Sequence, residues 1–232
     1  MWAQGESTFP VDFGQITGEI TDLHSCFNLN ALRADDDNGN TSGNGNDTSA
    51  KSSARLAFEE LLIALSIEGV GNFEAEYMAD ALTDWLDANS YLASLGELRV
   101  IEHFTIAVIN KLKDYACVLP NSNLNKVNLN TIAVDKPEIL VAMLGISQND
   151  AVQALSAREE EGFSSVADFF ALPELSKAKI PPEKQQQFTV KSEYFKLKTT
   201  ASFNHSYFAL NTIMKVENKN NISVISRIIG RE

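Results

Sequence analysis

The spacing of apolar residues along this chain changes twice, and the changes divide it. Between residues 8 and 34, Phe9, Val11 and Phe13 alternate with other residues, and Ile16, Ile20 and Leu23 follow. Pro10, Gly14 and Gly18 punctuate the run, which reads as short strands and turns. From Asp35 to Ser49 there is no apolar residue, so this segment is expected to be a mobile polar linker. Helical spacing starts near Ser52. Leu56, Leu61, Leu62 and Leu65 are assigned to one face, with Glu59 and Glu60 on the other.

Gly69-Val70-Gly71 breaks that helix, and a second is predicted from Phe73 to Asp87 with Tyr77, Met78, Ala81, Leu82 and Trp85 as its apolar side. A third is expected around Thr105 to Lys113, and Cys117 to Pro120 reads as a strand or extended turn. Asn128-Leu129-Asn130-Thr131 forms a polar turn ahead of a helix from Lys136 to Met143, with Pro137 suited to its first turn. Gly145-Ile146-Ser147 separates this from a helix over Asp150 to Arg158, and Gly162 closes it. Ser165 and Asp168 have capping-box spacing for a further short helix, and Pro181-Pro182 ends the helical block.

The last stretch returns to β character. Val190, Phe195, Leu197, Phe203, the run Tyr207 to Leu210, and Ile213 to Val216 precede a turn over residues 217–221. Ile222 to Ile229 makes the last strand. This predicts an antiparallel meander of three or four strands. Such a sheet needs a helix on its apolar face, and none adjoins it in sequence, so that helix is expected before residue 1. The domain plan is therefore 1–34 as the first part of a β frame and 35–50 as the linker. Residues 51–187 form an inserted helical domain, and 188–232 complete the frame. The stretch Asp22 to Asn30 is the hinge where the frame opens.

With 232 residues and 44% apolar content, a sizeable core is expected. The net charge of −12 disfavours a nucleic-acid or anionic-membrane surface, which would call for basic patches. No apolar run approaches the ~20 residues of a membrane span, and residues 1–6 lack signal-peptide features. That leaves a cytosolic protein or a soluble piece of a longer exported chain. Cys26 and Cys117 are far apart and form no CxxC, which excludes a dithiol motif or four-ligand zinc site. They read either as two buried free thiols or as one long-range disulfide.

No catalytic set emerges. His24, His103 and His205 show no HxxxH pairing. Gly69-Val70-Gly71 lacks a dinucleotide-binding context. The Asp- and Gly-rich segment fails the EF-hand spacing: placing Gly39 sixth puts Ala34 first, and placing Gly45 sixth puts Lys51 where a glutamate is required. Asp84, Asp87 and Asn89 offer oxygen atoms to a hard cation, although solvated carboxylates are the simpler reading. The segments around Gly69 and Gly145 resemble helix-hairpin-helix modules, which present backbone N–H groups to phosphate. Ser147 replaces a glycine, Glu68 precedes the other pair, and cations are sparse. They read as packing units, with a nucleic-acid-binding module as the alternative function.

Several residues together carry a resemblance that none carries alone. They are Asp22 with Phe27-Asn28-Leu29-Asn30, Asp84-Trp85-Leu86-Asp87, Glu97-Leu98-Arg99, Val127 to Thr131, Asp168-Phe169 and Ser192-Glu193-Tyr194-Phe195. In this order, over residues 10 to 232, the chain resembles the minor pseudopilin K family of type II secretion systems. The resemblance implies an α+β fold, in which a pseudopilin-type antiparallel sheet is interrupted by a large helical domain with helix-hairpin-helix-like units. It implies a non-catalytic role, capping the pseudopilus tip with minor pseudopilins I and J. It also implies a periplasmic location with an N-terminal hydrophobic helix in the inner membrane. In that oxidising setting, a Cys26–Cys117 disulfide is expected. Calcium binding is a further implication of the family. The segment between Asp87 and Glu97, longer and acidic in the family, is short here, which argues against it. No metal, cofactor or catalytic residues are assigned.

Overall fold

The structure, a computed structural model, describes residues 5–33, 51–89, 91–204, 206–218 and 221–230. The expected linker 35–50 and His205 lie outside the described residues. In chain order the elements begin with strands β1 (Ser7–Val11), β2 (Gly14–Asp22) and β3 (Phe27–Asn28), a 3-10 turn Leu29–Leu32, and helices α1 (Ser53–Ala64) and α2 (Asn72–Asn89). A 3-10 helix Leu95–Val100, α3 (Ile106–Leu112), β4 (Ala116–Cys117), β5 (Val127–Asn128), α4 (Glu138–Leu144) and α5 (Gln148–Ser156) follow. Then come α6 (Val166–Phe170), α7 (Pro173–Ser176), α8 (Pro182–Gln185), β6 (Phe188–Thr189), β7 (Tyr194–Phe203), β8 (Ser206–Asn218) and β9 (Asn221–Ile229).

These elements divide into two units. Residues 1–25 and 191–232 form the frame, and Cys26–Val190 forms the helical unit. The frame is one antiparallel sheet in the order β1-β2-β7-β8-β9. Its register sorts the side chains by face, because residues directly opposite across strands share a face. Phe9, Ile16, Ala201 and Phe208 form one such row, and Thr8, Thr17, Thr200 and Ala209 form a row on the other face. The first face is apolar and exposed at Phe9, Ile16, Phe203, Phe208 and Ile229. Gly14 is required where β2 meets β7, since a Cβ there would run into the Ser202 carbonyl. At the strand end, the buried Asp22 carboxylate accepts from the His24 N–H and from the Ser192 hydroxyl.

The frame gives up the chain earlier than the expected boundary at 34. Phe27, Leu29 and Leu32 are buried in the core of the helical unit, and a segment whose side chains fill one core folds with it. Two further expectations are corrected. Leu56 is exposed, not part of the buried face of α1, which is Ala54, Ala57, Phe58, Leu61 and Leu62. Five residues before Leu61, it sits roughly 140° round the helix. Pro181-Pro182 does not end the helical block; Pro182 opens α8, since a first-turn proline has no N–H to lose.

Candidate functional site

The helical unit is built from two halves that start alike. Phe27-Asn28-Leu29-Asn30 and Val127-Asn128-Leu129-Asn130 each place two residues in a parallel bridge, then turn. β3 pairs with β4, and β5 with β6. In both, the first asparagine accepts from the N–H two residues on, at 3.2 Å in Asn28 and 2.9 Å in Asn128. This turns the chain with no help from a glycine.

The second asparagine clamps a distant loop. Asn30 accepts from the Leu92 N–H (2.8 Å) and donates to the Leu92 and Leu119 carbonyls (3.0 and 2.9 Å). Asn130 accepts from the Phe163 N–H (2.7 Å) and donates to the Phe163 carbonyl (3.0 Å). Each side-chain amide therefore replaces a strand that is not there, satisfying backbone groups in a loop. Gly162, at φ +81, belongs to the second clamp, since a Cβ there would come within 2.8 Å of the Asn130 amide. Asn28 also holds Leu119 N–H, Ser122 and Leu124 carbonyls in the first half.

The disulfide Cys26–Cys117 closes the first half, with Cα atoms 5.7 Å apart. Both cysteines belong to the helical unit. The bond therefore staples that unit at its own entrance, and does not tie it to the frame. Bridge pairing of Asn28 with Cys117 and the Phe27 N–H to Tyr115 carbonyl bond hold the same two segments together.

In the second half, Arg158 donates to the Leu129 and Ile132 carbonyls at 3.0 and 2.8 Å. Burial lowers its pKa from the ordinary arginine value, yet it stays charged across the physiological range. Replacing it with alanine strands two carbonyls at the base of the turn. Arg158→Ala is expected to cost about 2 kcal/mol, read as a lower urea midpoint at unchanged slope.

The hairpin segments are occupied by their own residues. Ser147 caps α5 by accepting from the Asp150 N–H, and its hydroxyl donates to the Asp150 carboxylate. Glu74, in the first turn of α2, reaches back and accepts from the Gly71 N–H. Acid at each helix start leaves these positions unsuited to phosphate. His24 is buried in the frame, and His103 is exposed in the helical unit. Asp84 and Asp87 are exposed near the C-terminal end of α2. No group of three or more His, Cys, Asp or Glu side chains gathers in metal-binding geometry among the described residues.

Charge is unevenly placed. The helical unit carries 12 Lys and Arg against 24 Asp and Glu, which accounts for the whole −12, and the frame is balanced at 7 against 7. Part of the acid is neutralised where α1 meets α2. Lys51 pairs with Glu59 and Glu76, and Arg55 with Glu59 and Asp80. Beyond this network, α2 and the segment Val100 to Glu102 line an open groove of about 300 Å³.

The two Asn-Leu-Asn turns do not stand out as a pair in the sequence. A third copy, Asn123-Leu124-Asn125, obscures the repeat. The separating signal is an apolar residue before the tripeptide, Phe27 or Val127, and a buried one two positions after it, Leu32 or Ile132.

Comparison with known proteins follows the same division. Two family profiles described as "Type II secretion system (T2SS), protein K" match residues 25–121 and 127–191, one for each half. The chain is 28% identical to type II secretion system protein K of Aeromonas hydrophila, covering 99% of this chain and 75% of that protein. It is 30% identical to the protein of the same name from Klebsiella pneumoniae, over 76% of this chain and 58% of that one. Its structure is similar, with a TM-score of 0.81 and 26% identity, to a chain of the GspK-GspI-GspJ complex from the enterotoxigenic Escherichia coli type 2 secretion system. That likeness covers all of this chain and 85% of the other.

Proposed function

Since the chain belongs to the type II secretion system protein K family, we propose that it is a non-catalytic subunit of the pseudopilus tip. In this reading it works in the periplasm, assembles with minor pseudopilins I and J, and caps the filament during export of folded proteins. The observation that carries the reading is the likeness, over the whole chain, to a subunit solved within a GspK-GspI-GspJ complex.

The frame supports it physically. A sheet with Phe9, Phe203, Phe208 and Ile229 exposed on one surface needs an apolar cover. No helix of the described residues is long and apolar enough to cross a membrane. An apolar helix N-terminal to this segment supplies the cover in the proposed full-length protein. The same helix anchors the subunit before assembly. The inserted helical unit adds bulk that stops another subunit from stacking above it.

The test is co-purification with the I and J proteins of the same organism, first as periplasmic parts and then full-length in detergent. A complex containing all three chains in equal amounts is the expected result. Absence of any complex in both formats would sink the assembly reading.

A further inference from the structure

The helical unit exposes apolar surface along α2. Phe73 and Tyr77 lie one turn apart and are 71% and 54% exposed. The same side continues through Ala81, Trp85 and Ala88, which form one wall of the groove of about 300 Å³. Val100 and Ile101 form the other wall, and Val100 is 67% exposed. Tyr77 stacks on His103 with ring centroids 5.6 Å apart, which continues the surface beyond the groove. This volume accommodates one or two aliphatic side chains at the low end of ligand-sized pockets.

The groove's charge is one-sided. Asp84 and Glu102 line it with Asn89, and among the described residues no Lys or Arg does. Among the described residues neither acid has a cationic partner, whereas Glu59, Glu76 and Asp80 do. An apolar trough with bare carboxylates on its walls selects for its opposite. The geometry points to a docking site for a segment of a partner protein in which an aliphatic residue is flanked by lysine or arginine. The aliphatic side chain enters between Trp85 and Val100. The flanking cations face Asp84 and Glu102, and the −12 of the unit steers them in. The site lies within the helical unit and does not depend on the tip-capping reading.

The test uses the whole chain, isotope-labelled, and two synthetic peptides, Gly-Lys-Leu-Lys-Gly and Gly-Glu-Leu-Glu-Gly. The readout is the Trp85 indole N–H resonance, assigned with Trp85→Phe. The lysine peptide is expected to move it saturably at low salt, and added salt weakens the effect. The double variant Asp84→Asn, Glu102→Gln is expected to weaken binding about fivefold to tenfold, as two surface ion pairs would. Val100→Ser weakens it while leaving the salt dependence in place. All three positions are exposed, and matching unfolding midpoints confirm that the variants are intact. The proposal is overturned by no shift with the lysine peptide, or by an equal shift with the glutamate peptide. It is also overturned by undiminished binding in the variants, or by the same shift from calcium chloride alone.

Discussion

Reducing the Cys26–Cys117 bond is expected to lower the stability of the helical unit by about 4 to 5 kcal/mol. The bond closes a loop of sequence separation 91, and in the chain-entropy picture a longer loop restricts the unfolded chain more. Most domains are stable by only about 5–15 kcal/mol, so the reduced unit would be marginal. Urea titrations with and without reductant test this. The midpoint should fall, and the slope should rise, because an unfolded chain without the cross-link exposes more surface. The paired variant Cys26→Ser, Cys117→Ser should match the reduced protein. Coincident curves in both states would refute the prediction. The folded geometry should survive reduction, since the β3–β4 bridge and the Asn28 contacts hold the same segments.

Asn30→Ala is expected to be as damaging, at about 3 to 5 kcal/mol. Asn30 is fully buried and serves three backbone groups. Alanine leaves the Leu92 N–H and two carbonyls unpaired, and at a site with no exposure water is a poor substitute. Asn130→Ala removes the matching clamp on Phe163, yet this asparagine is only half-buried and water reaches the loop. The expected cost there is about 1 to 2 kcal/mol. Thermal and urea unfolding of the two variants in parallel measure the difference. Equal losses would mean that the clamps are weighted by chemistry alone, and not by burial.

The frame was legible because strand patterning is local. Alternation in Phe9-Pro10-Val11 and in Tyr194 to Phe203, with glycine and asparagine at the bends, marks strands from sequence neighbours alone. Helices α1 to α6 were legible for the same reason, as with Ser165, whose side chain caps α6. Leu56 and Tyr77 were misplaced because helical periodicity gives an angle, and only packing says which angle is buried. The short helices α7 and α8 were missed because four residues hold too little pattern.

The sequence by itself determined the two-part plan, the family and the candidate cysteine pair. Local spacing, an ordered series of short motifs and the presence of only two cysteines suffice for these. The tertiary structure decided that Cys26 to Arg33 belongs to the helical unit, and that Asn30 and Asn130 perform the same task in two halves. It also decided that Asp84, Trp85, Val100 and Glu102 share one groove. Each of these depends on contacts between residues far apart in the chain, and a hydrogen bond or a groove wall leaves no periodic trace in the segments that form it.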